Sequence, residues 1–208
     1  MSCSSVISRF SFGAASHVWL RLIGLVSLLS NLTGCGTSYA FAGSEIDPAP
    51  PAPEIALIDQ AGQPFSLEAY DGKAVVLYFG YTTCPDACPT TLSDYLAVKE
   101  MLGDRAEDVA FALVTIDPER DTPERLGEYL AFFDPDFVGL TGSAEGIAET
   151  ARSYGVSYAR VEYPESATRY LMDHTTLTYV IDPQGRLRLT YPEAADPAAI
   201  AEDLRHLF

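Results

Sequence analysis

Residues 74–80 read Ala-Val-Val-Leu-Tyr-Phe-Gly, and a cysteine stands four positions further on. An uncharged run rich in β-branched and aromatic side chains fits a strand buried at the centre of a sheet. The segment Tyr78-Phe79-Gly80-Tyr81-Thr82-Thr83-Cys84-Pro85-Asp86-Ala87-Cys88-Pro89 therefore leaves a buried strand. Behind it Leu92, Tyr95, Leu96 and Leu102 recur at helical spacing. Pro89 suits the first position of that helix, where its missing N–H costs nothing, with Cys88 near the cap. The first N–H groups of a helix lack intrahelical partners and carry partial positive charge, so a thiolate placed against them is stabilised.

The rest of the chain gives this strand and helix a setting. Residues 55–58 read as a short strand and Gly62 as a turn. Residues 109–116 form a second buried run. A helix follows Asp121-Thr122-Pro123-Glu124, with either Asp121 or Thr122 as its cap and Leu126, Tyr129, Leu130 and Phe133 as its apolar stripe. Residues 144–154 make another helix, with Ile147, Ala148 and Ala151 inward. Residues 177–181 and 187–191 pair through the turn Asp182-Pro183-Gln184-Gly185, and Ile200, Leu204, Leu207 and Phe208 mark a last helix. Strand, helix, strand, helix, helix, hairpin, helix is the plan of an α/β, thioredoxin-like fold: a central mixed β-sheet flanked by helices.

Cys84 and Cys88 are separated by three residues, where thioredoxin-type oxidoreductases use two. Four positions is about one helical turn, so both sulfurs can face the same side. Such a pair can close a disulfide, exchange with another disulfide, or chelate a soft ion; thiolates select copper(I), zinc or iron–sulfur centres. As a purely structural bond it does little, since closing so short a loop stabilises by about 2 kcal/mol against about 4.7 kcal/mol for a loop of 100 residues. His174, in Tyr170-Leu171-Met172-Asp173-His174-Thr175-Thr176, lies just ahead of the expected hairpin. Two thiolates leave a copper(I) site short of a donor, and imidazole suits copper in either oxidation state; the same three groups would hold zinc with one position open. Asp173 either orients His174 from behind or caps a turn. Met172 reads as core, and His206 as a solvent-facing residue of the last helix.

The beginning of the chain is different. Its first 34 residues hold Arg9 and Arg21 and no acidic residue, and a short apolar run leads to Leu32-Thr33-Gly34-Cys35. A basic start, a short apolar stretch and small residues before a cysteine form a secretory signal that resembles the bacterial lipobox, with Cys35 as the lipidated residue. The competing reading is an uncleaved single span, for which the run is short and interrupted by Arg21. The expected division is a lipoprotein signal over 1–34, a lipidated cysteine and Pro-rich tether over 35–53, and one domain over 54–208. That puts the domain on a membrane by a lipid anchor, facing the periplasm or the extracellular side. A formal charge of −16 over 208 residues excludes nucleic acid as a natural partner.

Three segments, 78–89, Val-Thr-Ile-Asp-Pro-Glu-Arg-Asp-Thr-Pro (114–123) and Asp-His-Thr-Thr-Leu-Thr-Tyr-Val-Ile-Asp-Pro-Gln-Gly (173–185), resemble the Sco/SenC family in the same order. The resemblance covers residues 54–208. It implies a thioredoxin-like fold and copper, as Cu(I) or Cu(II), held by Cys84, Cys88 and His174. It also implies a metallochaperone that delivers copper to the binuclear copper centre of cytochrome c oxidase subunit II. A thiol–disulfide oxidoreductase acting on oxidase or other extracytoplasmic cysteines is the alternative. Many members of the family carry a transmembrane helix, and the lipobox is a departure from that pattern. A peroxidase of the peroxiredoxin kind is disfavoured, because the threonine hydroxyl such enzymes place three residues before the reactive cysteine is replaced here by Tyr81. Residues 117–123 read as a structural strand-to-helix connector.

Overall fold

The computed structural model describes residues 39–208, so the signal-like segment and Cys35 lie outside the described residues. In chain order the elements are β1 (Ser44–Glu45), β2 (Ile58–Asp59), β3 (Ala74–Gly80), α1 (Ala87–Leu102), β4 (Val109–Thr115), α2 (Pro123–Leu130), β5 (Val138–Thr141), α3 (Ala144–Ser153), β6 (Tyr158–Glu162), β7 (Tyr170–His174), β8 (Thr178–Ile181), β9 (Leu187–Tyr191) and α4 (Pro197–Arg205). Seven strands form one sheet in the order β1-β9-β8-β3-β4-β5-β2. β3 runs parallel to β4 and antiparallel to β8, and all of its residues are buried. Its backbone is satisfied on both edges and its side chains are covered on both faces, which is why an apolar run without alternation is stable there. The sheet is mixed and flanked by helices, as expected of the thioredoxin-like fold. α1 packs against α4, and α2 against β5.

Local chemistry accounts for the element ends. Thr122, rather than Asp121, caps α2 by accepting from the Arg125 N–H, with Pro123 in the first turn. Ser143 caps α3 and Asp196 caps α4 in the same way. The Asp182 carboxylate accepts from the N–H groups of Gln184 and Arg186 and closes the β8–β9 turn, with Gly185 at φ 71°.

The structure departs from the sequence reading in four places. Of residues 55–58 only Ile58 enters a strand; Ile55 and Leu57 are buried without joining the ladder. β5, β6 and β7 were not foreseen. β5 is four residues long, and β6 is a mostly exposed, charged strand that pairs with β7 in a sheet of its own. α1 begins at Ala87, two residues ahead of Pro89, which the first turn tolerates because its N–H groups have no partner inside the helix. The segment expected as a tether is docked from Ala42 onward: the N–H groups of Ala42 and Gly43 donate to the buried Asp203 carboxylate, β1 pairs with β9, and Pro50 and Ala52 bond to Leu187 and Gly185. The fold therefore takes in residues before 54, because the outer edge of β9 offers unpaired backbone groups for them to satisfy.

The connector over 117–123 is structural, and it serves the site. Asp121 is fully buried and its carboxylate accepts from the Thr82 N–H (3.0 Å), the Thr82 hydroxyl (2.6 Å) and the Thr115 hydroxyl (2.6 Å). It thus pins the loop two residues before Cys84 to the end of β4. Asp121→Ala strands these three donors and is expected to lower the unfolding free energy by about 3 kcal/mol, read as an earlier urea midpoint at unchanged slope. A loss below about 1 kcal/mol would show that the carboxylate does not hold the loop.

Candidate metal centre

The site grows from the end of β3. Gly80 passes so close to α1 that a Cβ there would lie 2.9 Å from the Cys88 sulfur and 2.8 Å from the Tyr78 ring. Only a residue without a side chain lets Cys88 come in. Cys88 also heads the buried stripe of α1, followed by Thr91, Leu92, Tyr95, Val98 and Leu102, so helical periodicity turns its sulfur toward the core. Cys84, in the loop before the helix, is half-buried. The two cysteines differ in exposure because one belongs to the helix and the other to its approach.

The N-cap residue of α1, Asp86, makes no side-chain cap bond. The Cys84 sulfur takes that place, accepting from the Cys88 N–H at 3.4 Å, and the Asp86 N–H also acts on it. The proton on the Cys88 thiol, then His174 and these two N–H groups, hold the Cys84 thiol far below its usual range, against the opposing effect of burial. Cys88 moves the other way: it donates to Cys84, is buried, and faces the Cys84 charge. The pair shares one proton, Cys84 as thiolate and Cys88 as thiol. Both are free, with no disulfide between them.

His174 ends β7. Its Nδ1 lies 2.9 Å from the Thr175 carbonyl oxygen, so Nδ1–H donates there and Nε2 is the nitrogen turned toward the sulfurs. Nε2 is 3.9 Å from the Cys88 sulfur. The rings of Tyr78 and Tyr81 meet the imidazole edge-on at 5.9 and 6.0 Å. One ligand atom from each of Cys84, Cys88 and His174 lies within 4.8 Å of the other two. Two sulfurs and an aromatic nitrogen at that spacing suit a soft ion of low coordination number.

The sequence-predicted residues separate clearly. Cys84, Cys88 and His174 converge. Asp173 does not orient His174: it is exposed, adjacent strand residues point to opposite faces, and the Thr175 carbonyl holds the ring. His206 is exposed at the end of α4, with Nδ1 2.9 Å from the Glu202 carbonyl oxygen. Met172 is core, as expected. Sequence reasoning missed Gly80, Thr175 and the clamp on the β7 strand. In that clamp the Tyr170 hydroxyl donates to Asp117 at 2.9 Å, and Arg120 pairs with Asp117. The Arg120 guanidinium also lies 3.7 Å from the centre of the Tyr170 ring. The signal for it was present in the Asp117–Arg120 spacing, but Tyr170 is 50 residues away and nothing local points to it.

The shared proton makes a directional expectation. With metal removed and thiols reduced, iodoacetamide at about pH 6, well below the ordinary thiol pKa of about 8.5, should modify Cys84 and spare Cys88, as mapped by peptide mass. Equal labelling, or labelling of Cys88 first, would contradict the assignment.

Comparison with known proteins agrees with this geometry. The SCO1/SenC family description matches residues 44–208. A SCO2-like protein of Rickettsia conorii is 33% identical over 199 residues, 89% of this chain and 97% of its own length. The structure of Bradyrhizobium japonicum ScoI with copper bound superposes with a TM-score of 0.68 at 34% identity, covering 81% of this chain and all of that one. BsSco, described with a disulfide switch and as a member of the Sco family of cytochrome c oxidase assembly proteins, superposes with a TM-score of 0.60 at 25% identity, over 76% of this chain and 94% of that one.

Proposed function

The chain belongs to the SCO1/SenC family, and from that premise we propose that it carries one copper ion on Cys84, Cys88 and His174. On this reading it is a metallochaperone that supplies copper to the binuclear centre of cytochrome c oxidase subunit II. The observation that carries the proposal is the convergence of the three ligand atoms within 4.8 Å. The copper-bound relative supports the choice of metal, and the family's link to oxidase assembly supports the recipient. The donor set is consistent with both copper oxidation states. A half-exposed Cys84 leaves one sulfur open to an incoming acceptor, while Cys88 stays covered. The proposal extends to a lipid anchor at Cys35 and an extracytoplasmic address, on the grounds of the lipobox.

A second reading has its own observation. The polarised pair is poised for exchange: the Cys84 thiolate attacks one sulfur of a partner disulfide and the other leaves as a thiolate. Cys88, its proton passing to the first leaving thiolate, then attacks the Cys84 sulfur of the mixed disulfide and releases the partner's second thiolate. The pair ends oxidised to a disulfide and the partner reduced by two electrons. The imidazole is not needed for these steps.

One substitution separates the two. The purified chain with reduced thiols is expected to take up one Cu(I), and His174→Ala to weaken it by more than about 100-fold in competition with a chromophoric chelator, a ligand being worth more than its outer-shell partner. Retained affinity in the variant would sink the carrier reading. Unchanged rates of disulfide reduction in the same variant would favour the oxidoreductase. For the anchor, Cys35→Ser should abolish incorporation of labelled fatty acid in bacterial cells; continued labelling would exclude lipidation at that residue.

A further inference from the structure

The hairpin that carries His174 is not part of the main sheet. Among the described residues β7 pairs only with β6, and the two form a separate ribbon. A two-stranded ribbon of this kind is marginal by itself and needs to be held by what it packs against. The free edge of β7 meets side chains instead of another strand. Arg120 Nη1 donates to the Tyr170 carbonyl at 3.1 Å, and the Met172 N–H donates to the Tyr81 hydroxyl oxygen at 3.2 Å.

Tyr81 stands at a crossing of the whole centre. It is three residues before Cys84 and 2% exposed, and its N–H acts on the Cys88 sulfur. Its ring meets the His174 imidazole edge-on, and its hydroxyl takes the Met172 N–H two residues before that imidazole. Accepting uses a lone pair of the oxygen and leaves its O–H to donate, and the charge of the Cys84 sulfur acts on this same hydroxyl. One buried residue thus meets the surroundings of all three ligands, through its main-chain N–H, its ring and its hydroxyl. A phenylalanine would fill the same space, so the ring alone does not explain the hydroxyl.

We propose that Tyr81 is a positioning residue of the metal centre, whose hydroxyl ties the strand bearing His174 to the loop bearing Cys84 and so sets how closely imidazole and sulfurs approach. This inference rests on the metal-carrier reading of the site. Without the hydroxyl the Met172 N–H is left facing a closed interior, and the ribbon loses its tie nearest to His174. The ligands themselves remain, but the imidazole is presented less often at coordinating distance, and affinity falls by the fraction of time it is away.

Tyr81→Phe tests this in two measurements. In the metal-free protein, the Met172 amide should exchange with solvent slowly in the native chain. It should exchange about 10-fold faster in the variant, a single hydrogen bond of about 1.4 kcal/mol, while amides of β3 and β4 stay unchanged. A Met172 amide already unprotected in the native chain, or equally protected in the variant, overturns the tie; the first of these needs no variant at all. The second measurement is Cu(I) affinity for the native chain, Tyr81→Phe, His174→Ala and the double variant. The phenylalanine is expected to cost about 10–100-fold in the native background and far less once His174 is absent. Equal losses in both backgrounds would show that the hydroxyl does not act through His174 and would overturn the proposal. If the native chain binds no copper, the carrier reading fails, while amide exchange still decides the tie.

Discussion

The interaction on which this site depends is the hydrogen bonding of one sulfur to the open end of a helix. The first turn of α1 has N–H groups with no partner within the helix, and its N-cap carboxylate leaves them unanswered. The Cys84 sulfur answers instead, and a sulfur in that place is favoured as a thiolate by the same partial charge that would favour any anion. Cys88, one turn on, has its sulfur in the core and keeps its proton. A strand that must be buried, a helix that must begin, and two cysteines on either side of that beginning are enough to create a polarised dithiol.

The third donor comes from much further along the chain, and the fold supplies it by a different device. β8 lies beside β3 in the sheet, which brings the segment ahead of β8 to the end of β3 where the cysteines are. The imidazole is then aimed by short-range contacts: the Thr175 carbonyl fixes one ring nitrogen and two tyrosine rings wall the imidazole. Asp121 and Asp117 work behind this, one holding the cysteine loop and the other the strand of His174. The connector 117–123, whose sequence reads as ordinary strand-to-helix linkage, is therefore the frame against which both halves of the site are set.

The legible parts of the sequence were those governed by local rules. The buried runs became β3 and β4, the Thr-Pro start became the capped α2, and the Asp-Pro-Gln-Gly turn joined β8 to β9. The Cys-Cys-His set was legible because residue chemistry and family resemblance pointed to the same three positions. What stayed hidden was set by distant partners. Among the described residues β6 and β7 pair only with each other, and the mostly exposed Tyr158–Glu162 carries no buried run that would mark it as a strand. β1 exists because β9 had an edge to cover. Asp173 reads, by its nearness in sequence, as either an orienting group or a turn cap, but strand alternation turns it away and the orienting role falls to a main-chain oxygen, which no side-chain pattern reveals.

Two sulfurs and an imidazole in one place make a carrier; two sulfurs alone make a redox dithiol, and the difference lies in His174. X-ray absorption on the copper-loaded chain tests this most directly. The account predicts a first shell of two sulfurs and one imidazole nitrogen, with the imidazole scattering lost when His174 is replaced by alanine. A shell of sulfur alone, or imidazole scattering that survives the replacement, would contradict it.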